Sequence, residues 1–172
     1  MRLLLDTSAL LWWLADEGLA ARARDAIADP ANLVIVSAVS AWEISIKKAL
    51  GKLAAPDDLE HQIQAGGFTP LPITVAHGAA AGQLVRHHDD PFDRMLIAQA
   101  LAEGLTIVTR DKRFSEYSVA LMPAWPTTGP KPGAGTARAG DGNRTVMTSL
   151  EGCGPRFSEL LRPRPGLVGQ SP

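Results

Sequence analysis

The stretch L-L-L-D-T-S-A-L-L-W, residues 3–12, decides how the rest of this chain is read. Three consecutive leucines closed by Asp6 form a short, unbroken apolar run, the pattern of a strand buried on both faces. Leu10, Leu11 and Leu14 then share one face of a helix over Thr7–Ala15. A fully apolar strand that runs straight into a helix, with an acid at the junction, is the opening of an α/β architecture.

The alternation continues on the C-terminal side. Leu19–Ala28 reads as a helix stopped by Pro30, and Leu33–Val36 as a second buried strand. Ser37–Leu50 is a long helix, with Val39, Trp42, Ile46 and Leu50 at helical spacing and Gly51 at its end. Asp57–Ala65 is a further helix ended by Gly66 and Gly67. Pro70 and Pro72 confine the strand-like Phe68–Ile73 to a sheet edge. Val75–Val85 and Pro91–Glu103 are helices, the second closed by Gly104. Leu105–Thr109 is a strand, and Val119–Met122 a short last one. The fold class is therefore α/β: a central parallel sheet flanked by helices, with right-handed crossovers and a strand order that the sequence leaves open.

Composition bounds the function. The 172 residues hold 17 Lys+Arg against 18 Asp+Glu, a net charge of −1, which excludes a histone-like basic binder and an acidic disordered chain. A lone Cys153 excludes an intrachain disulfide framework and a cysteine zinc site. Residues 126–172 contain 9 Gly and 7 Pro, with Phe157 as the one aromatic. Such a segment cannot bury enough apolar surface to offset the entropy of ordering it. The expected division is a domain over 1–125 and a mostly disordered Pro/Gly-rich tail over 126–172, whose excess of basic residues is a weaker argument for RNA contact. No run of 18 apolar residues is present, so no membrane span is expected, and Asp6 breaks the apolar N-terminus too early for an export signal. A cytoplasmic protein is the expectation.

Four acids then stand out. In a parallel sheet, ligands bind beyond the carboxyl ends of the strands. Asp6 ends the first strand, and Asp111 follows the strand at Leu105–Thr109. Glu43 lies on the helix leaving the second strand, and Asp93 sits in the first turn of the helix that leads to the Asp111 strand. Each has an ordinary structural explanation. Asp6 can cap a helix, Glu43 can close a capping box with Ser40, Asp93 suits a helix dipole after the Asp90 cap and Pro91, and Asp111 suits a turn. Capping alone does not require acids from four segments at one end of a sheet. Four carboxylates together repel one another unless some hold protons or a cation neutralises them. Oxygen donors with no cysteine and no paired histidine select Mg²⁺ or Mn²⁺, and such ions suit phosphodiester hydrolysis.

These residues resemble the PIN-domain ribonucleases, and among them the VapC-type toxins of bacterial toxin–antitoxin pairs. The resemblance runs through L-L-L-D-T-S-A-L-L-W (3–12), S-A-V-S-A-W-E-I-S-I-K (37–47), G-K-L (51–53), H-D-D-P-F-D-R-M-L-I-A-Q-A (88–100) and L-T-I-V-T-R-D-K-R-F-S-E-Y (105–117). It covers about residues 2–125 and none of the tail. It implies a PIN-like sandwich and a Mg²⁺ or Mn²⁺ site made of Asp6, Glu43, Asp93 and Asp111, with Asp6 and Asp93 the most direct ligands. Thr7 or Ser8, and Thr109, would hold waters or orient those carboxylates. The implied activity is that of an endoribonuclease toxin blocked by a cognate antitoxin, and the implied assembly is a homodimer.

Arg94, Arg110, Lys112, Arg113 and Lys47 are the candidate RNA-phosphate contacts, since that role needs only local positive charge near the site; Arg94 equally suits orienting a carboxylate or a solvated charge, and Lys47 a solvated helix face. His87 and His88 read as loop histidines, because adjacent histidines point to different faces. Trp12, Trp13 and Trp42 read as core or partner-facing surface, with base stacking on Trp13 the lesser reading; Gln99 reads as a satisfied polar group. Three alternatives stand beside the toxin: a PIN nuclease for RNA processing or flap cleavage, an aspartyl-phosphate phosphatase, and a non-catalytic α/β binding module such as a receiver domain. The phosphatase pattern D-x-D fails because Ser8 occupies the second acid's place, and a receiver's early acidic cluster fails because the acid after Asp6 is Asp16.

Overall fold

The structure, a computed structural model, describes residues 1–87 and 89–125. His88, Cys153 and the whole 126–172 tail reading lie outside the described residues. Five strands form one parallel sheet: β1 (Arg2–Leu5), β2 (Leu33–Ser37), β3 (Thr69–Leu71), β4 (Thr106–Thr109) and β5 (Ala120–Pro123), in the order β3-β2-β1-β4-β5. Six helices cover it: α1 (Thr7–Leu14), α2 (Ala21–Ala28), α3 (Ala38–Ala49), α4 (Leu59–Ala65), α5 (Val75–Gln83) and α6 (Pro91–Glu103). The expected α/β sandwich is the one observed. A short 3-10 helix, Lys112–Glu116, follows β4 and was not anticipated. No described helix is long and apolar enough to cross a membrane.

β1 is the centre because its three leucines satisfy both faces at once. Leu3, Leu4 and Leu5 are fully buried. Leu3 and Leu5 enter one core with Leu10, Leu11, Trp12 and Ile27, whereas Leu4 joins Val39, Leu96, Ile97 and Phe114 on the opposite side. β3, whose Pro70 has no N–H to donate, takes an edge, with Pro72 directly after it. From β1 the chain winds outward through β2 and β3, then returns to place β4 on the other flank of β1. The crevice at the carboxyl ends of β1 and β4 is thus a topological switch point.

The helix ends carry their own signals. α6 begins with the Asp90 side chain accepting from the Phe92 N–H at 2.9 Å and with Pro91 at its first position; it ends at Gly104, whose φ of 64° needs the freedom of glycine. α3 departs from expectation: its cap is Ser37, whose Oγ accepts from the Val39 N–H at 3.0 Å, and Ser40 is buried inside the helix instead of closing a box with Glu43. Ser37 also donates to Oε1 of the buried Gln99 at 2.6 Å, and Gln99 Nε2 donates to the Pro72 carbonyl at 3.2 Å, which ties α6 to the ends of β2 and β3. Ser37→Ala removes a cap and strips a buried amide oxygen of its donor. A stability loss of about 2 kcal/mol is expected by urea denaturation, and a loss near zero would contradict this network.

Candidate active site

Asp6 leaves β1 at the switch point and does two things there. Its carboxylate caps α1 by accepting from the Ala9 N–H at 2.6 Å, and it accepts from the hydroxyl of Thr109 at the end of β4. The side chain is 6% exposed. Burial pushes its pKa up to about 6, helped by the negative charge of Glu43 and opposed by the Thr109 and Ala9 donors and by the Arg110 charge. The capping reading of Asp6 is observed, and the same carboxylate faces the end of β4.

Thr7, the first residue of α1, donates to Glu43 Oε2 at 2.6 Å and so orients an acid that lies 36 residues away in sequence. Of the two candidate hydroxyls, this places Thr7 on the carboxylates, with Ser8 half-buried one position on. Glu43 is buried on α3, and its other oxygen pairs with Lys47 one turn along the same helix. Lys47 is therefore a constituent of the site.

Asp93 lies in the first turn of α6. Its pKa is pushed up to about 8, first by burial, then by the charges of Asp90, Asp6, Glu43 and Asp111. The charges of Asp6, Glu43 and Asp111 thus all act on Asp93. So does that of Asp90, which the sequence reading assigned only to capping; the acid doublet Asp89-Asp90 before Pro91 was the available signal. Asp111 caps the 3-10 helix by accepting from the Arg113 N–H at 2.9 Å. Its carboxylate is also held by the Arg113 guanidinium, Nε at 3.0 Å and Nη2 at 2.5 Å to Oδ2, and the same Nη2 lies 3.9 Å from Asp93 Oδ2. Thr109 Oγ1 accepts from the Asp111 N–H at 3.0 Å, so one threonine fixes both strand-end acids.

The other predicted residues divide. Arg110 is exposed at the mouth, its guanidinium 5.0 Å from the Trp12 ring centroid, and Lys112 is exposed on the 3-10 helix. Arg94 stands elsewhere: its guanidinium donates to the carbonyls of Ala81 at 2.8 Å, Leu84 at 2.8 Å and Val85 at 3.1 Å, at the end of α5. Those bonds give it a structural duty in place of the expected phosphate contact. His87 pairs with Glu116 and packs on Tyr117, which suits the loop-histidine reading. Trp12 is core, Trp13 packs on Phe68, and Trp42 is exposed against Phe92.

The donor chemistry fits a hard divalent cation. It consists of carboxylate and hydroxyl oxygens; burial, with neighbouring negative charge behind it, raises two of its carboxyls, and a bound cation would favour their ionised form. The side chains are not closed into a ligand shell: among the described residues no three acidic, histidine or cysteine groups are arranged to hold a metal. Glu43 and Asp111 instead offer their oxygens to Lys47 and Arg113.

Comparison with known proteins identifies the family. The family model described as "PIN domain" matches residues 3–120. Ribonuclease VapC22 of Mycobacterium tuberculosis is 26% identical over 121 residues, spanning 66% of this chain and 90% of that protein. Among solved structures, the fold is similar to a chain of the VapBC2 complex from Rickettsia felis bound to a promoter DNA fragment, with a TM-score of 0.55 and 15% identity over 71% of this chain and 98% of that one. It is also similar to a chain of a toxin–antitoxin complex from Klebsiella pneumoniae, with a TM-score of 0.52 and 18% identity over 71% of this chain and 97% of that one. With the family match covering more than half of the chain, all four acids included, this chain belongs to the PIN-domain family.

Proposed function

We propose that this protein is a divalent-metal-dependent endoribonuclease acting as the toxin of a toxin–antitoxin pair. The observation that carries the reading is the convergence of Asp6, Glu43, Asp93 and Asp111, from four segments, on the crevice beside β1 and β4, with the Asp6 and Asp93 carboxyls raised to about 6 and about 8. The resemblance to Ribonuclease VapC22 and to chains of toxin–antitoxin complexes supports it.

The four acids would hold Mg²⁺ or Mn²⁺, Asp6 and Asp93 most directly. When bound, such an ion lowers the pKa of attacking water and stabilises charge on the phosphate and the leaving oxygen. The chain does the positioning. The Ala9 N–H and Thr109 hydroxyl hold Asp6, Thr7 holds Glu43, and Arg113 holds Asp111. Lys47, Arg110, Lys112 and Arg113 supply the positive charge that brings an RNA phosphate to an otherwise repulsive acidic site.

The partner is a cognate antitoxin protein, and the assembly a homodimer in the cytoplasm. The face we assign to the dimer is the uncharged, exposed stripe of Ala38, Trp42, Ser45 and Ala49 on α3. Residues 1–125 are the catalytic domain, and 126–172 are dispensable for catalysis.

Sequencing of RNA 5′ ends after induced expression tests this. Wild type is expected to create new ends at defined positions, a chain ending at Trp125 the same ends, and Asp6→Asn none. Equal ends from wild type and Asp6→Asn would refute the assignment of the site, and loss of cleavage on truncation would refute the domain boundary.

A further inference from the structure

Asp93 differs from the strand-end acids in how it is placed. Asp6 follows β1 directly and Asp111 follows β4 after Arg110, so both take their positions from the sheet. Asp93 belongs to a helix start preceded by the exposed Val85, Arg86, His87 and Asp89, and something else must hold that turn in place.

Arg94 is the next residue. Its backbone N–H donates to the Asp90 carbonyl at 3.1 Å, closing the first turn of α6 around Asp93. Its side chain forks into the end of α5, one nitrogen bonding the Ala81 and Leu84 carbonyls and the other the Val85 carbonyl. Terminal helix carbonyls have no partner within their own helix, and a cation there also meets the negative end of the dipole. The planar guanidinium spreads its donors over two nitrogens in a rigid fork, a spacing that the single nitrogen of an ammonium lacks. Beside the clamp lies an open cavity of about 450 Å³, lined in part by Gly82, Arg86, Pro91 and Met95. It leaves the first turn of α6 room to shift once the fork is removed.

We infer that Arg94 is a positioning residue: its fork pins the first turn of α6 to the end of α5 and thereby sets Asp93 for a divalent cation. The inference rests on the metal site of the proposed function and adds a determinant of that site's affinity. It also distinguishes a clamp from a phosphate contact, because the two roles affect different measurements.

The test uses the full chain with Mn²⁺ as probe. Mn²⁺ binding is followed by electron paramagnetic resonance, and RNA cleavage is measured across Mn²⁺ concentrations, for wild type, Arg94→Gln and Arg94→Lys. For Arg94→Gln the Mn²⁺ dissociation constant is expected to rise about tenfold, the size typical when a group supporting a metal ligand is lost. Cleavage should fall at low Mn²⁺ and recover at high Mn²⁺, with KM for RNA unchanged. Arg94→Lys, which keeps the charge without the fork, should lie between and remains informative should the Gln variant fold poorly. In an Asp93→Asn background, Arg94→Gln should change Mn²⁺ binding by less than twofold. A raised KM with unchanged Mn²⁺ affinity would reinstate the phosphate contact and overturn the clamp. A lowered melting temperature with Mn²⁺ affinity unchanged would reduce Arg94 to stability alone and also overturn it. If wild type binds Mn²⁺ yet cleaves no RNA, the ribonuclease reading fails while the clamp is still judged by Mn²⁺ affinity. If wild type binds no Mn²⁺, both fall.

Discussion

Asp93→Asn is expected to lose at least about a hundredfold in RNA cleavage and, metal-free at pH 8.5, to melt at a higher temperature than wild type. The two halves of this result come from one cause. Burial and the charges of Asp90, Asp6, Glu43 and Asp111 hold the Asp93 carboxyl up at about 8, so at pH 8.5 the wild-type protein carries an anion its surroundings oppose. The amide keeps the shape and removes the charge. The competing structural role is that of an acid in the first turn of a helix, worth roughly 0.3–1 kcal/mol to stability. A shift of even two pKa units corresponds to about 2.7 kcal/mol, so relief of crowding outweighs loss of the dipole interaction. For a domain of this size the gain is of the order of 5 °C. Calorimetry in EDTA beside a cleavage assay in Mn²⁺ gives both numbers. An active variant would remove Asp93 from the metal site, and a less stable one would return it to simple capping.

The second large effect is on pH and metal together. Asp6 and Asp93 titrate in the folded protein at about 6 and about 8, against 3.8 for an unperturbed aspartate. Between those limits the folded state binds more protons than the unfolded one, so stability falls as pH rises. The contribution is whole below about pH 4, is lost first through Asp6 and then through Asp93, and is gone above about pH 8. Asp6 alone corresponds to about 3 kcal/mol on this scale. Asp93 shares the same charges, so the two do not simply add. In EDTA, the melting temperature is expected to drop by about 10 °C between pH 5 and pH 8.5. Asp57, drawn down by Lys48, acts only below this window. A divalent cation favours the ionised carboxylates, so Mn²⁺ should raise the melting temperature more at pH 8.5 than at pH 5. A metal-free melting temperature that is flat or rises over this range would show that the acids are not crowded together.

What could be read from the sequence follows from locality. Leu3–Leu5 had to be a buried strand because nothing polar interrupts them, and α6 had to run from Pro91 to Gly104 because its start and stop signals lie within one turn of its ends. Asp6, Asp93 and Asp111 could be singled out as candidates because strand ends and helix starts fall on one edge of any parallel sheet, whatever the order of its strands. Helix 3-10, the Ser37 cap and the duty of Arg94 were not legible, since a serine three residues either way, or an arginine on a helix surface, looks the same before its neighbours are known.

The tertiary structure alone decided who meets whom. The order β3-β2-β1-β4-β5 sets the end of β1, with Asp6, beside the end of β4, which leads to Asp111; the packing brings Thr7 of α1 onto Glu43 of α3 and turns Arg94 from a candidate phosphate contact into a bond between α5 and α6. Local sequence specifies which residues end an element, because capping and periodicity act over a few positions. The pairing of those ends across tens of residues is set by burial of the whole sheet, and the electrostatic crowding that marks this site exists only once that burial has drawn distant carboxylates together.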